Sequence, residues 1–189
     1  MKHWYYLVAA GCAVGASASA QAQNAPVTPS QAAATPDQAW QVVCPPAPAA
    51  TAGAAAPAPA CGLIQNLVAG EKKQRLLTVI VNRAVPAGYN MTLALPHGLL
   101  FAPGVGLQID EAPERTVAVQ TSDENGAYSG TPVDADFLKA LQAGKTLKVS
   151  FTGGTGQRIM VPVTLKDFAP GIVALSKTPL PPARTPSAN

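Results

Sequence analysis

Alternation of apolar and polar residues dominates the last third of the chain. Residues 146–151 read Thr-Leu-Lys-Val-Ser-Phe, and residues 158–165 repeat the same period of two. Because side chains of a β-strand point alternately to its two faces, each stretch predicts a strand with one buried face. The intervening residues 152–157, Thr-Gly-Gly-Thr-Gly-Gln, predict a hairpin turn. Pro162 is on the outward-facing set and has no N–H, which predicts an edge strand or a bulge there.

Six further stretches have strand-like patterns. They are residues 41–43, 63–68, 76–83, 90–95, 104–110 and 116–121. The run from Leu76 to Val81 is apolar on nearly both faces, which predicts a central strand.

One helix is predicted between Asp134, a good N-cap, and Gly144, placed for a left-handed residue after the last turn. Its apolar stripe, which we expect to lie on a sheet, consists of Phe137, Leu138 and Leu141. A second short helical turn is predicted after Asp167. The fold class is therefore mainly β, an antiparallel β-sandwich or flattened barrel of about eight or nine strands with one or two short helices.

The first twenty residues have the pattern of a secretory signal peptide. They combine a basic start, an apolar run and small residues, which predicts residues 1–20 as the signal, cleaved after Ala20 or Ala22. The apolar run is shorter than the roughly 20 residues that a bilayer span needs, so we expect no transmembrane segment.

Cleavage would remove Cys12 and leave Cys44 and Cys61. An even cysteine count in an exported chain predicts a disulfide between them, and two free buried thiols are the alternative. The residues between them, 45–60, are rich in alanine and proline and predict an exposed, extended excursion whose ends the disulfide ties together. Closing a loop of about 15 residues stabilises a fold by about 3 kcal/mol in the chain-entropy model.

The chain divides by composition into a folded unit and two flanks. Residues 21–37 consist mostly of small polar residues, alanine and proline, and predict a disordered leader. Residues 177–189 are proline-rich and predict a disordered tail. The folded domain is therefore expected over residues 38–176.

Charge excludes one class of partner. Only 12% of the residues are charged and the net charge is +3, with no dense cluster of lysine and arginine. Phosphate binding requires several neighbouring basic groups, so we expect no nucleic-acid partner.

Few residues of the chain have side chains that could act in catalysis. His97 is the only imidazole left after cleavage, and the Gly-x-Ser-x-Gly motif of hydrolases is absent. The residue types for a Ser-His-Asp triad of His97 with Ser122, Ser129 or Ser150 are present, but we interpret His97 as a turn residue. One imidazole and two disulfide sulfurs do not form a zinc site. We therefore expect no enzymatic activity, no cofactor and no metal.

Carboxylates occur in three groups, which are Asp110 with Glu111 and Glu114, Asp123 with Glu124, and Asp134 with Asp136. Paired carboxylates can serve glycoside hydrolysis or calcium binding. Their positions at strand ends, in a turn and at a helix start favour structural roles instead.

Over residues 38–176 the chain resembles the invasion-associated locus B family. The motifs that carry the resemblance, in order, are Trp40-x-x-x-Cys44, Cys61-Gly-Leu-Ile-Gln65, the run Leu76–Val81, Leu95-Pro96-His-Gly-Leu99 with Gly104-Val-Gly-Leu107-x-Ile-Asp110, Phe137-Leu-x-x-Leu141-x-x-Gly144 and Leu165-x-x-Phe168.

The resemblance implies an exported protein of a Gram-negative bacterium, periplasmic or associated with the outer membrane. The founding type is implicated in entry into host red cells, and no enzymatic activity or cofactor is attached to the family. We therefore expect an exported, non-enzymatic envelope protein that contacts an envelope or host-surface protein and contributes to host-cell interaction or envelope integrity. The alternative is a periplasmic peptide-binding or chaperone-like module that uses an open strand edge or the 45–60 excursion.

The chain departs from the family in one segment. The family commonly has a second cysteine pair in a Cys-x-x-x-Gly-Cys segment, where this chain has Ser122 and Ala127. We expect the turn to persist without the disulfide, held by Asn125-Gly126 as a type I′ pair.

Overall fold

The computed structural model describes residues 30–31, 40–45, 60–69 and 74–180. The predicted signal peptide with its cleavage after Ala20 or Ala22, most of the 21–37 leader, residues 46–59 of the excursion and residues 181–189 of the tail lie outside the described residues. Two residues of the predicted leader, Ser30 and Gln31, are described and form a short strand.

The described residues form twelve strands and two helices. In chain order they are β1 (Ser30–Gln31), β2 (Gln41–Val43), β3 (Gly62–Ala69), β4 (Gln74–Arg83), β5 (Tyr89–Leu95), β6 (Leu99–Leu100), β7 (Val105–Ile109), β8 (Arg115–Val117), β9 (Thr121–Asp123), β10 (Gly126–Val133), α1 (Ala135–Ala143), β11 (Thr146–Gly153), β12 (Arg158–Thr164) and α2 (Phe168–Ser176).

The strands make two sheets of six that enclose one apolar core. Sheet A has the order β1-β12-β11-β7-β8, with β6 also paired to β11, and sheet B has the order β2-β3-β4-β5-β10-β9. Every pairing is antiparallel except that of β1 with β12, which is parallel. The predicted class, a mainly-β antiparallel sandwich with short helices, is confirmed. The predicted central strand is confirmed as β4, which has a neighbour on each side.

The alternating pattern sets the inward faces. Fully buried apolar positions of sheet A are Val105, Leu147, Val149, Val161 and Val163, and those of sheet B are Leu63, Leu77, Val79, Val81, Met91, Leu93 and Leu95. These side chains belong to one continuous cluster. At about 25 cal/mol per Å² of buried apolar surface, this cluster is the main source of stability of the domain.

Helix α1 begins and ends at the predicted residues, but its end differs in geometry. The Asp134 side chain accepts a hydrogen bond from the Phe137 N–H at 2.8 Å, as an N-cap does. Gly144 has φ −74°, so the expected left-handed residue is wrong. Glycine is required there by space, since a Cβ would lie 2.5 Å from Cγ2 of Ile109.

The helices meet each other at one end of the sandwich. Helix α1 contacts α2, its Leu141 is fully buried, and its Phe137 and Leu138 pack against the apolar core. Helix α2 follows Asp167, where a second short helix was predicted, and buries Phe168, Ile172 and Leu175. It approaches β3 so closely that a Cβ on Gly171 would lie 2.6 Å from Cδ1 of Leu63.

Strand prediction fails between residues 116 and 133. The stretch 116–121 is not one strand, because β8 belongs to sheet A and β9 to sheet B. Strand β10, which the sequence analysis missed, pairs with both β5 and β9. Its buried positions include Ala127 and Ser129, which are too small to produce a hydrophobic period. Together with the short strands, this explains why the structure has more than eight or nine strands.

Candidate functional site

A disulfide joins Cys44 to Cys61 at the edge of sheet B. Cys44 directly follows β2 and Cys61 directly precedes β3. The register pair next to them joins Val43 of β2 to Gly62 of β3. Cys61 is buried, and its carbonyl accepts a hydrogen bond from Nδ2 of Asn82 at 3.0 Å. The excursion between the cysteines therefore leaves and re-enters the domain at one anchored point.

Trp40 links the start of sheet B to the far sheet. Its indole Nε1 donates a hydrogen bond to the Thr164 carbonyl on β12 at 2.8 Å, over a separation of 124 residues. Its ring meets Phe168 of α2 edge-on, with centroids 5.0 Å apart. Trp40 is 7% exposed, so this contact is part of the core and also covers a backbone group at the edge of β12.

The outer edge of β12 carries a segment of the chain itself. Ser30 pairs with Ile159 and Gln31 with Met160, in parallel orientation. Pro162, two residues further along, pairs with Lys148 on the inner side of the strand. Among the described residues Pro162 has a strand neighbour on its β11 side, and β1 lies beside β12 at Ile159 and Met160, so the expected edge or bulge at Pro162 stays a prediction.

A polar cluster lies on the outer face of sheet A, next to the β11–β12 hairpin. The Arg158 Nη2 donates hydrogen bonds to Oε1 of Glu114 at 2.6 Å and to Oγ of Ser150 at 2.6 Å. The Ser150 hydroxyl donates to Oε2 of Glu114 at 3.0 Å. The Arg158 guanidinium holds the pKa of the Glu114 carboxyl below its ordinary value, opposed by desolvation. A carboxylate in this state is a weak base, so the arrangement ties β11, β12 and the β7–β8 connection together and does not activate the serine.

The other predicted carboxylates also hold the fold together. Asp110 accepts hydrogen bonds from the backbone N–H groups of Lys145 and Thr146, the nearest at 2.9 Å, and these bonds hold the pKa of its carboxyl below the ordinary value. Glu111 forms an ion pair with Lys148 at 2.9 Å. Asp110, Glu111 and Glu114 therefore each bind a different partner, and the structure does not bring any two of these carboxylates together.

His97 contacts the turn between β9 and β10. Its Nε2 lies 3.0 Å from the Glu124 carbonyl, so this nitrogen carries the proton and donates. The Arg75 guanidinium donates to the carbonyl of Asn125 in the same turn. The structure does not bring His97 to Ser129 or Ser150, whose hydroxyls donate to Ala118 and Glu114. The interpretation of His97 as a turn residue agrees with these contacts.

The turn itself differs from the expected type. Its two central residues are Glu124 and Asn125, because Asp123 already pairs with Gly126. Neither central residue has a positive φ, so the expected type I′ turn at Asn125-Gly126 is wrong. The Asp123 side chain instead accepts the Asn125 N–H at 2.7 Å, which holds the reversal from within.

A groove of about 350 Å³ lies between α1 and the β7–β8 hairpin. Leu107, Ile109 and Phe137 contribute to its apolar surface. The Arg115 guanidinium at its rim lies 4.6 Å above the Phe137 ring and donates to Oδ2 of Asp134 at 2.7 Å. The Phe137 N–H and then Arg115 hold the pKa of the Asp134 carboxyl below its ordinary value. The Arg115 and Asp134 charges at the rim therefore neutralise each other, and this pair fastens the start of α1 to β8.

Sequence reasoning missed the partners in these contacts. Trp40 with Thr164 and Arg158 with Glu114 join residues 124 and 44 positions apart, and no local pattern predicts such pairs. Pro162 is the one local signal for an edge or a bulge in β12.

Comparison with known proteins decides the family. The family model described as "Invasion associated locus B (IalB) protein" matches residues 40–176. The chain belongs to the invasion-associated locus B family. The matched region has the same limits as the two-sheet domain, from Trp40 to the end of α2. The resemblance drawn from the motifs is confirmed.

Two curated relatives and one solved structure are similar to the chain. The invasion protein B homologues of Brucella abortus strain 2308 and of biovar 1 strain 9-941 are each 26% identical over 110 residues, which covers 58% of this chain. The match spans 64% of the length of these relatives. The crystal structure of invasion-associated protein B from Bartonella henselae has a TM-score of 0.58 at 22% identity, covering 62% of this chain and 85% of that one. This likeness supports the fold.

Within the residues that the structure describes, no helix has the length and apolarity of a membrane span.

Proposed function

We propose that this member of the invasion-associated locus B family is exported and acts in the cell envelope as a non-enzymatic contact protein. The observation that carries the proposal is the disulfide between Cys44 and Cys61. Disulfides persist in oxidising compartments such as the periplasm and are rare in the bacterial cytosol. The signal-peptide pattern of residues 1–20 supports the same compartment.

Non-enzymatic action is supported by how the reactive groups are used. The Ser129 and Ser150 hydroxyls donate to the Ala118 carbonyl and to Glu114, and not to the His97 imidazole. A nucleophile must instead lie within hydrogen-bond reach of a free base. The family to which the chain belongs is named for invasion and not for a reaction.

Cell fractionation tests the compartment. We expect the mature chain, beginning at Gln21 or Gln23, in the periplasmic or outer-membrane fraction, with a mass that shows no alkylation by iodoacetamide before reduction. A full-length chain that stays in the cytoplasm would contradict the proposal. Two alkylatable thiols in natively purified protein would contradict its oxidised state.

A deletion strain separates the two envelope roles. Loss of host-cell contact with normal detergent resistance would indicate binding to a host-surface protein, whereas detergent sensitivity would indicate a partner in the envelope. Complementation with the wild-type chain and with a Cys44→Ala/Cys61→Ala variant serves as the matched comparison. An unchanged strain in both assays would contradict both roles.

A further inference from the structure

A short run of apolar residues is exposed at the end of the sandwich where β6 leads into β7. Leu100, Phe101, Ala102 and Pro103 are consecutive and exposed, with Leu100 at 42% and Phe101 at 46%. Among the aromatic residues that the structure describes, Phe101 is the most exposed. A run of exposed apolar side chains is unfavourable in water and is typical of a contact surface. Residues 100–103 are called the apolar tip below.

The apolar tip is held in place by backbone hydrogen bonds on both of its sides. Before it, β6 (Leu99–Leu100) pairs with the end of β11. After it, the Gly104 N–H donates a hydrogen bond to the Phe101 carbonyl at 3.0 Å. A side chain on a fixed backbone loses less conformational entropy on binding than one on a loose loop. The tip is therefore pre-organised for a contact.

The groove of about 350 Å³ between α1 and the β7–β8 hairpin, called the α1 groove below, has the chemistry to receive an apolar side chain. Its volume is at the lower end of the roughly 300–1,000 Å³ that is usual for binding pockets. Its surface includes Phe137, and the Arg115 and Asp134 charges at its rim neutralise each other. Asp136, also at the rim, is exposed to water. An uncharged side chain can therefore enter without leaving a buried charge unpaired.

The apolar tip and the α1 groove lie at opposite ends of β11. Leu100 of the tip pairs with Thr152, and Ile109 of the groove pairs with Leu147. The five residue steps from Leu147 to Thr152 span about 17 Å, at about 3.4 Å per residue. The tip therefore cannot enter the groove of its own chain, whereas it can enter the groove of a second copy.

We propose that the apolar tip of one molecule docks in the α1 groove of a second copy, so that molecules associate head to tail. The two surfaces differ, so the contact is heterologous and each dimer keeps one free tip and one free groove. Association of this type continues beyond the dimer unless the rotation between copies closes a ring. The proposal uses surfaces other than the disulfide and does not rest on the proposed envelope role.

The contact is small, so the association is weak and reversible. A buried aromatic side chain contributes about 150–250 Å² of buried surface. A tip of residues 100–103 therefore stays well below the roughly 1,200 Å² that stable complexes bury. We expect a dissociation constant on the order of 0.1–1 mM.

Sedimentation equilibrium of the oxidised full-length chain tests the proposal. The weight-average mass of the wild-type chain should rise beyond that of a dimer as the concentration increases from about 10 µM to about 1 mM. Phe101→Asp places a charge on the tip, and Ala112→Glu places one in the lining of the groove. Each should raise the dissociation constant at least tenfold. Val85→Asp is the matched control, since Val85 is 47% exposed on a different loop, and it should associate as the wild type does.

Mixing the two charged variants separates head-to-tail association from a symmetric contact. Phe101→Asp keeps an intact groove and Ala112→Glu keeps an intact tip, so a 1:1 mixture should form dimers with the wild-type dissociation constant. These dimers have no second competent pair of surfaces and should not grow further. Their formation also shows that both variants are folded.

Four results would overturn the proposal. One is a wild-type chain that stays monomeric up to about 1 mM, since the tip or the groove would then be covered within the chain or bind a different partner. Unchanged association of either charged variant is the second. A mixture that stays monomeric is the third, because the tip and the groove would then not bind each other. A wild-type mass that saturates at a dimer is the fourth and would indicate a symmetric contact.

Discussion

Ser122 and Ala127 lie directly opposite each other across the β9–β10 hairpin, as register partners on neighbouring strands. They occupy the positions at which the motif resemblance implies a second cysteine pair. His97 and Arg75 contact the carbonyls of the two turn residues between them. The turn of this hairpin therefore has polar contacts from two other segments of the chain.

Restoring the cysteines should restore the disulfide. We expect Ser122→Cys/Ala127→Cys to oxidise during purification and to raise the free energy of unfolding by about 2 kcal/mol, the chain-entropy value for a loop of about six residues. Urea unfolding of the double variant and of the wild-type chain, both without reductant, measures the gain. The single variant Ser122→Cys is the control and should lose with reductant only what the wild-type chain loses, the contribution of Cys44–Cys61. A double variant that remains reduced would contradict the register of the hairpin.

Removing the natural disulfide should change the free energy of unfolding by more than adding the second disulfide does. The loop from Cys44 to Cys61 has a sequence separation of 17, and its closure contributes about 3 kcal/mol in the same model. We expect Cys44→Ala/Cys61→Ala to lower the free energy of unfolding by about that amount. Shortening the excursion by deletion of residues 48–57, with both cysteines kept, is the matched comparison and should leave the domain folded. Equal stability of wild type and double variant would contradict this prediction.

Trp40 stabilises the fold by a hydrogen bond and by the packing of its ring, and two substitutions separate these contributions. Trp40→Phe keeps a ring against Phe168 but leaves the Thr164 carbonyl without its donor, which should cost about 1 kcal/mol. Trp40→Ala also removes the buried ring and should cost about 3–5 kcal/mol. Chemical denaturation measures both. Equal losses in the two variants would show that packing contributes nothing beyond the hydrogen bond.

The ion pair of Glu114 with Arg158 should make stability depend on pH. A carboxyl whose pKa is lower in the folded state stabilises the fold above its unfolded-state pKa, here near 4.5, and this contribution disappears as the pH falls through the folded-state pKa. We expect Glu114→Gln to be less stable than wild type by about 0.5–1 kcal/mol at pH 7 and equally stable well below pH 4.

Thermal unfolding between pH 3 and pH 7 tests this prediction. The side chain of Glu111 is 90% exposed, and Glu111→Gln is therefore the matched control, with a change below about 0.5 kcal/mol at pH 7. A Glu114→Gln deficit that stays constant down to pH 3 would contradict the role of the charged carboxylate.

Local sequence patterns predicted the strands and the helix that bury one face and expose the other. Strands β11 and β12, the hairpin between them and the capped start of α1 each follow from residues close in sequence. The motif series was enough to predict the family, because it records the same buried positions in the same order. Pro162 predicts an edge or a bulge, since a missing N–H has a local meaning that does not depend on the rest of the fold.

The failures lie where a neighbour from elsewhere in the chain determines the outcome. Strand β10 has small buried residues, and its pairing with β5 creates the strand. Gly144 has a negative φ and an extended backbone, which any residue can adopt. Ile109 leaves no room for a Cβ there, so space and not backbone freedom explains the glycine. The type of the β9–β10 turn depended on where strand pairing stopped.

The signal-peptide pattern, which stays a prediction, the cysteine count and most of the strands are read from the chain before it folds. The contact of Trp40 with Thr164, the cluster of Glu114 with Arg158 and the segment paired to β12 join residues that are far apart in sequence. Their free energies depend on distances that exist once both sheets have packed on the common core. A period of two predicts which face of a strand is buried, but it carries no information about which segment lies beside the strand.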